Sequence, residues 1–234
     1  MARSIEELVD RQMRRWALGH RASSDVPPRP CIALSRLPGA GAADLGRRVA
    51  EALDYTFFGI EIVDWIARST GLTRQLVAGV DERIRNAIDR SVADSFRSER
   101  FTETDYLRHV VRVVTSLGEQ GSAVILGRGS PFILPPERAL RALVVAPPGV
   151  RAENLAKQRA LPLERARELL GEEDSQRLQF LRHHFGRHPD DPIHYDLVLN
   201  LGTLSQEAAA RLLIDALAAR FPRSAGPKRA APGA

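Results

Sequence analysis

The sequence predicts an α/β fold in which a parallel sheet is covered on both faces by helices, giving three layers. Short apolar runs bounded by glycine or proline alternate with segments of helical periodicity, and three such runs are CIALS (31–35), SAVIL (122–126) and LRALVVA (140–146). Nearly continuous apolar runs of this length are typical of strands buried on both faces. The chain of 234 residues is long enough for one sizeable domain with a buried core.

The N-terminal segment differs from the rest of the chain. Residues 4–19 carry apolar side chains near helical spacing, which predicts an amphipathic helix, and a proline-rich link, ASSDVPPRP (22–30), follows. We therefore expect an N-terminal helix and linker over 1–30, the main domain over 31–220 and a disordered low-complexity tail over 221–234. The amphipathic helix could pack on its own domain or on a second copy, which leaves a homodimer open.

The first half of the main domain continues the alternation. Apolar residues mark one helix face over 43–53, YTFF (55–58) is a candidate strand, and EIVDWIARS (61–69) begins another helix. Residues 81–100 are mostly polar and predicted to be helical, and residues 104–117 place leucines and valines on one face.

The second half of the main domain supplies the last predicted strand of the sheet. An arginine- and glutamate-rich helical stretch is predicted over 150–186, YDLVLN (195–200) is the last strand, and Ser205 is expected to cap a helix that ends near Arg220. Ligands of parallel α/β sheets bind beyond the carboxyl ends of the strands. The loops in which a site is expected are 35–42, 59–61, 127–131 and 146–151.

The charge pattern suits a partner that carries phosphate. The net charge of +5 is carried largely by arginine, since lysine occurs only at Lys157 and Lys228, and the guanidinium fork matches phosphate geometry. Coding bias toward arginine is the other explanation. Aromatic residues make up only 6% of the chain, which argues against a nucleic-acid partner that stacks bases.

The cysteine content and hydropathy indicate a cytoplasmic protein. Cys31 is the single cysteine and lies within an apolar run, which fits a reducing compartment. No apolar stretch approaches the length of a membrane span, and the acidic residues near the N-terminus do not fit a signal peptide. No membrane partner is therefore expected.

The stretch SRLPGAGAADLGRR (35–48) has the outline of a phosphate-binding loop. Gly39 and Gly41 follow a strand and precede a helix, so backbone amides and the positive helix end could converge on an anion. The position where a lysine would reach the phosphates is Ala42. A tight turn that needs glycine for positive φ explains the same residues without a ligand.

Two further features carry arginines to the same edge of the sheet. Gly127-Arg128-Gly129 ends a buried strand, so that Arg128 could rise into a crevice. Arg151, Arg177 and Arg182 could close over the first loop as a lid and neutralise charge. The alternatives are a surface arginine at 128 and a solvated lid helix with pairs such as Glu173–Arg177.

Five motifs in order resemble the cytidylate kinase-like family, a branch of the P-loop nucleoside monophosphate kinases, over residues 31–220. They are Ser35 to Ala42 for S-R-x-x-G-S-G-G, the aromatic strand and helix YTFFGIEIVDWIARSTGL, Val124 to Gly129 for V-I-x-G-R-G, Ala146-Pro147 ahead of an arginine, and Asp174 to Arg177 followed by Tyr195 to Asn200. The resemblance implies a three-layer P-loop NTPase fold with a helical acceptor-binding insertion (59–120) and an arginine-rich lid (150–190).

The resemblance also implies an activity, which is ATP-dependent phosphoryl transfer with Mg²⁺ to a nucleoside monophosphate such as CMP or dCMP. Arg128 would hold the acceptor phosphate, and Arg151, Arg177 and Arg182 would be lid residues. The residues implied to bind the ATP phosphates are Ser35, Arg36, Gly39, Ala40, Gly41, Ala42 and Ala43. The alternative function is a nucleotide-binding regulatory or interaction protein of the same fold with weakened catalysis.

Three departures bear on this choice. Ala42 stands where related monophosphate kinases carry lysine and where members of this family often carry glycine, so the missing lysine is partly a family trait. Members often carry aspartate where Gly59 stands, with Glu61 the nearest carboxylate, and active cytidylate kinases carry aspartate where Gly129 stands. Arg36 could replace the lysine charge, or it could be a surface arginine paired with an acid. We expect loss of the lysine to lower the rate more than nucleotide affinity, because the backbone amides remain.

A metal site is not expected. His183, His184 and His188 lie near Asp190 and Asp191, but adjacent histidines on a helix point to different sides and only His184 and His188 have i,i+4 spacing. A solvated end of the lid explains this cluster better.

Overall fold

A computed structural model of the protein describes residues 28–69, 86, 88–90, 92–93 and 105–222. Within them lies a five-stranded sheet in which every strand pair is parallel, with the order β2-β3-β1-β4-β5. The strands are β1 (Cys31–Arg36), β2 (Thr56–Phe58), β3 (Ala123–Leu126), β4 (Ala139–Val145) and β5 (Leu197–Asn200).

The helices of the described residues alternate with these strands. They are α1 (Ala42–Leu53), α2 (Ile60–Arg68), α3 (Asp105–Gln120), α4 (Ser130–Ile133), α5 (Pro148–Arg159), α6 (Leu163–Phe185) and α7 (Gln206–Arg220), with a short 3-10 helix at Pro192–His194. Residues 86, 88–90 and 92–93 are also helical. No helix among the described residues is long and apolar enough to cross a membrane.

The two faces of the sheet carry separate apolar clusters, so the predicted three layers are confirmed. Ile32 and Leu34 of β1 point to a core shared with α1 and α7, whereas Cys31 and Ala33 point to one shared with α2 and α3. This alternation along one strand follows from the two-residue repeat of side chains, and it explains why the run CIALS is apolar throughout.

The stretch 150–186 is two helices rather than one. Helix α5 ends at Arg159 and α6 begins at Leu163, directly after Pro162. Proline has no amide hydrogen to donate and it restricts the residue before it, so the helix is interrupted at this point. The two helices pack through an apolar cluster of their own, formed by Ala152, Leu155, Ala166 and Leu170, and we call them the α5–α6 hairpin.

The other local predictions have mixed outcomes. The cap at Ser205 is confirmed, since its side chain accepts a 3.1 Å hydrogen bond from the Ala208 amide. The Glu173–Arg177 pair is wrong, because Glu173 pairs with Arg159 and Arg177 with Asp190. The N-terminal helix, most of 81–100 and the tail from 223 lie outside the described residues.

Candidate active site

The loop between β1 and α1 turns sharply at two glycines. Gly39 has φ +73° and Gly41, which caps α1, has φ +82°, both in the left-handed region that favours glycine. A Cβ on Gly39 would lie 2.4 Å from the Arg151 carbonyl oxygen. The turn therefore requires glycine at 39 for its backbone conformation and for the close approach of α5.

Three side chains from outside the loop hold its carbonyl groups. Arg151 donates to the Pro38 oxygen (3.3 Å), Asn154 donates to the Gly39 oxygen (2.9 Å), and Gln206 donates to the Gly41 oxygen (3.2 Å). The first amides of a helix lack intrahelical acceptors, so those of α1 remain available to an anion. Helices α5 and α7 thus fix the loop before any ligand binds.

We expect Gly39→Ala to disrupt this loop. The added methyl would face backbone at 2.4 Å and an unfavourable φ, so the free energy of unfolding should fall by about 1–3 kcal/mol. Urea unfolding followed by circular dichroism measures the change. Gly171→Ala is the matched control, since nothing lies within 4 Å of its Cβ position in α6, and it should raise stability by about 1 kcal/mol. Equal stability of the two variants would contradict the close approach.

The loop after β3 is also built on left-handed backbone. Gly127, Arg128 and Gly129 have φ of +81°, +50° and +73°. The ring of Phe185 lies 2.2 Å from the position of a Cβ on Gly129, so the aromatic ring occupies the space of a side chain at 129. Glycine at 129 therefore fits the packing of α6 against this loop.

Arg128 is held by a carboxylate that the sequence reasoning missed. Its Nε donates to Asp64 Oδ1 at 2.5 Å, and its Nη2 donates to Asp64 Oδ2. The Tyr106 hydroxyl donates to the same carboxylate at 2.7 Å, and burial together with this hydrogen bond raises the pKa of Tyr106. The only sequence signal for Asp64 was an acid within an otherwise apolar helical run. Glu61, singled out instead, is exposed.

The predicted lid arginines occupy three different environments. Arg177 is buried and donates to Asp190 (2.7 Å) and to the Ser35 hydroxyl (3.2 Å). Arg151 is buried behind the first loop, where it also pairs with Asp174 at 2.8 Å. Arg182 is exposed.

Two adjoining cavities lie at the carboxyl end of the sheet. The loop chamber, about 170 Å³, is lined by residues 36–43 together with side chains that include Arg47, Phe57 and Gln158. The arginine chamber, about 290 Å³, is lined by residues that include Ser35, Arg128, Gln176, Arg177 and Phe180. Both chambers are lined by Arg36, Pro38, Ile60, Glu61, Arg159 and Glu173. Arg151 and Arg182 line neither of them.

Arg36 lies where the chambers meet. Its Nη1 is 3.6 Å from the Cβ position of Gly127, at the start of the second loop. Burial, followed by the positive charges of Arg177 and Arg128, lowers the pKa of this guanidinium to about 10, with Glu173 and Glu61 acting in the opposite direction. The group is still charged at neutral pH.

A resident metal site is absent from the described part of the chain, where no three His, Cys, Asp or Glu side chains come together. The nearest carboxylates to the chambers are Glu61 and Glu173, and Glu173 is paired with Arg159 at 2.5 Å. Glu61 alone fits a Mg²⁺ ion that arrives with a nucleotide, because such ions take most of their ligands from phosphates and water.

Known proteins resemble this chain over most of its length. The model of the cytidylate kinase-like family matches residues 31–203. The cytidylate kinase of Methanopyrus kandleri is 27% identical over 193 residues, covering 78% of this chain and 90% of the relative. That of Aeropyrum pernix is 28% identical over 187 residues, covering 78% and 95%.

One solved structure has the same fold at low identity. An uncharacterized protein from Eubacterium ventriosum superposes with a TM-score of 0.64 and 15% identity, over 82% of this chain and 99% of that one. The parallel sheet, the glycine loop between β1 and α1 and the family match confirm the P-loop α/β fold that the sequence predicts. Since the family model spans well over half of the sequence, the chain belongs to the cytidylate kinase-like family.

Proposed function

We propose that the protein is an ATP-dependent nucleoside monophosphate kinase that phosphorylates CMP or dCMP. The observation that carries the proposal is the meeting of the two chambers at Arg36, with a phosphate loop on one side and Arg128 and Arg177 on the other. Family membership and the two relatives named cytidylate kinase support the same assignment. The cytoplasmic location stays a prediction.

The triphosphate binds in the loop chamber through backbone amides. Residues 39–43 line this chamber, and the loop is held in place by hydrogen bonds from α5 and α7. Ala42 is only 3% exposed and packs in the apolar core with Leu45 and Val49. The loop therefore keeps its backbone donors and the helix end, but its first helical turn supplies no side-chain cation.

The acceptor phosphate binds in the arginine chamber. Arg128 and Arg177 line it, and each is paired with a carboxylate, that of Asp64 and that of Asp190. A phosphate group competes with these carboxylates for the same guanidinium donors. Arg182 is exposed, so it reaches a bound phosphate only if the α5–α6 hairpin moves.

The chain's residues act by position and charge. The acceptor's phosphate oxygen attacks the γ-phosphorus as the bond from γ-phosphorus to the bridging oxygen breaks, and the electron pair of that bond stays on the leaving diphosphate. Mg²⁺, when bound with the triphosphate, neutralises charge on its phosphate oxygens. Glu61 would hold the ion's water shell, and the arginines stabilise the transferring group while the hairpin excludes water.

A second function is favoured by one observation. Ala42 contributes a methyl group to the core instead of a cation to the loop, so a protein that binds nucleotide and turns over slowly is also consistent with the site. Such a protein would regulate or bind a partner according to the nucleotide it holds.

A coupled assay of ADP formation separates the two functions. It is run with ATP·Mg²⁺ and a panel of CMP, dCMP, UMP, AMP and GMP, with isothermal titration of ATP·Mg²⁺ on the same preparation. The proposal predicts turnover that is highest with CMP or dCMP. Binding of ATP without ADP formation for every acceptor would support the regulator, and absence of binding at millimolar ATP would contradict both functions.

A further inference from the structure

The side chain of Arg36 differs from every other cation at the site. Among the described residues, the other arginines that line the chambers all have carboxylate partners: Arg47 with Asp44, Arg128 with Asp64, Arg159 with Glu173 and Arg177 with Asp190. The Arg36 side chain makes no hydrogen bond or ion pair within the described part of the chain, although the charges of Glu173 and Glu61 act on it. Arg36 is also partly buried.

The position of Arg36 in the fold brings it to both chambers. Arg36 is the last residue of β1, the central strand of the sheet, and the phosphate loop begins immediately after it. Its Nη1 lies 3.6 Å from the Cβ position of Gly127, and both chambers are lined by Arg36. The Arg36 guanidinium therefore adjoins both the loop between β1 and α1 and the chamber that contains Arg128 and Arg177.

The lack of an ion pair among the described residues favours Arg36 as an anion partner. A guanidinium that is already paired must exchange a carboxylate for a phosphate, whereas the Arg36 side chain has no such pair to break. Burial lowers the pKa of Arg36, and repulsion by the positive charges of Arg177 and Arg128 lowers it as well, while Glu173 and Glu61 partly offset this effect. An incoming phosphate group relieves this repulsion.

We propose that Arg36 is the catalytic cation of this site and contacts the phosphoryl group during its transfer. It would replace the lysine that related kinases carry at the position of Ala42. The proposal rests on the proposed function. As the bond between γ-phosphorus and the bridging oxygen breaks and the bond to the acceptor oxygen forms, the planar guanidinium donates to oxygens of the transferring group. The cation would then lie at the end of β1, whereas a lysine at position 42 would lie in the first turn of α1.

The test uses Arg36→Met, Arg36→Lys and the control Arg165→Met. Arg165 is an exposed arginine of α6 that pairs with Glu168 and lines neither chamber. The first measurement is the shift in thermal midpoint caused by inorganic tripolyphosphate, and the second is the single-turnover rate of phosphoryl transfer from ATP·Mg²⁺ to CMP.

We expect Arg36→Met to be at least as stable as the wild type without ligand, because a partly buried guanidinium that repels Arg128 and Arg177 is removed. Its tripolyphosphate shift should be largely lost and its transfer rate lowered by about 1000-fold. Arg36→Lys should recover part of both, since it restores charge without the fork, and Arg165→Met should match the wild type.

The outcomes separate this inference from the proposed function. If the wild type transfers the phosphoryl group, and Arg36→Met has the same transfer rate and the same tripolyphosphate shift, the role of Arg36 is overturned. The proposed kinase function would remain. A shift that depends on Arg36, with no transfer by the wild type to any monophosphate, would establish the anion site and overturn its catalytic role together with the kinase. A ligand-free Arg36→Met that is much less stable than Arg165→Met would show that Arg36 is paired and would overturn the inference.

Discussion

Replacing Arg177 by methionine is expected to lower kcat/KM for phosphoryl transfer by about 100- to 1000-fold. Arg177 is buried at the junction of α6 with the end of β1, where it donates to Ser35 and Asp190 and lines the arginine chamber. In our mechanism Arg177 stabilises the negative charge that develops during transfer, so its removal raises the energy of the transition state more than that of the bound substrates. Steady-state kinetics with CMP and ATP·Mg²⁺ measure the loss.

Two comparisons make this result specific. Arg177→Lys keeps the charge but loses the two-pronged contact to Ser35 and Asp190, so it should recover only part of the rate. Arg165→Met removes an exposed arginine from the same helix and should leave the kinetics unchanged. A rate for Arg177→Met within a few-fold of the wild type, with an unchanged circular dichroism spectrum, would contradict the role given to Arg177.

The second large effect is on stability. Asp174→Ala should lower the free energy of unfolding by about 3 kcal/mol, because it leaves the Arg151 guanidinium buried without a counter-charge. The Arg151 side chain is 7% exposed and pairs with both oxygens of Asp174. Since Arg151 also holds the Pro38 carbonyl, the loop should loosen and affinity for ATP should fall as well.

Urea unfolding of Asp174→Ala and Asp44→Ala measures this difference. Asp44 forms the corresponding pair with Arg47 at the surface, where both side chains are more than half exposed, and its loss should cost less than about 1 kcal/mol. Similar losses in the two variants would show that the Arg151–Asp174 pair is no more stabilising than a surface pair.

The fold could be predicted from the sequence because its signals are local. Each strand of the sheet overlaps a segment marked by an apolar run, with β1 and β4 each extending one residue beyond it. The loop at 35–42 was marked by Gly39 and Gly41, both of which adopt positive φ. The break between α5 and α6 was missed, although Pro162 signals it, because the polar residues around it have no clear helical periodicity.

The charge partners within the site could not be predicted in this way. Asp64 is 64 residues from Arg128 in sequence, and Ser35 is 142 residues from Arg177. Such pairs depend on how α2 and α6 pack over the ends of the strands, which no local pattern encodes. Local spacing favoured Glu173 as the partner of Arg177, but the chain turns after α6 and brings Asp190 back to it.

Transfer of the γ-phosphoryl group itself tests the central claim most directly. The protein is mixed with ATP labelled at the γ-phosphate, Mg²⁺ and CMP or dCMP, and the products of a single turnover are separated by chromatography. We predict that the label appears in the diphosphate of the acceptor, and that this product depends on Arg36 and Arg177. Label that stays in ATP or appears only as inorganic phosphate, in a preparation that binds ATP, would contradict a monophosphate kinase.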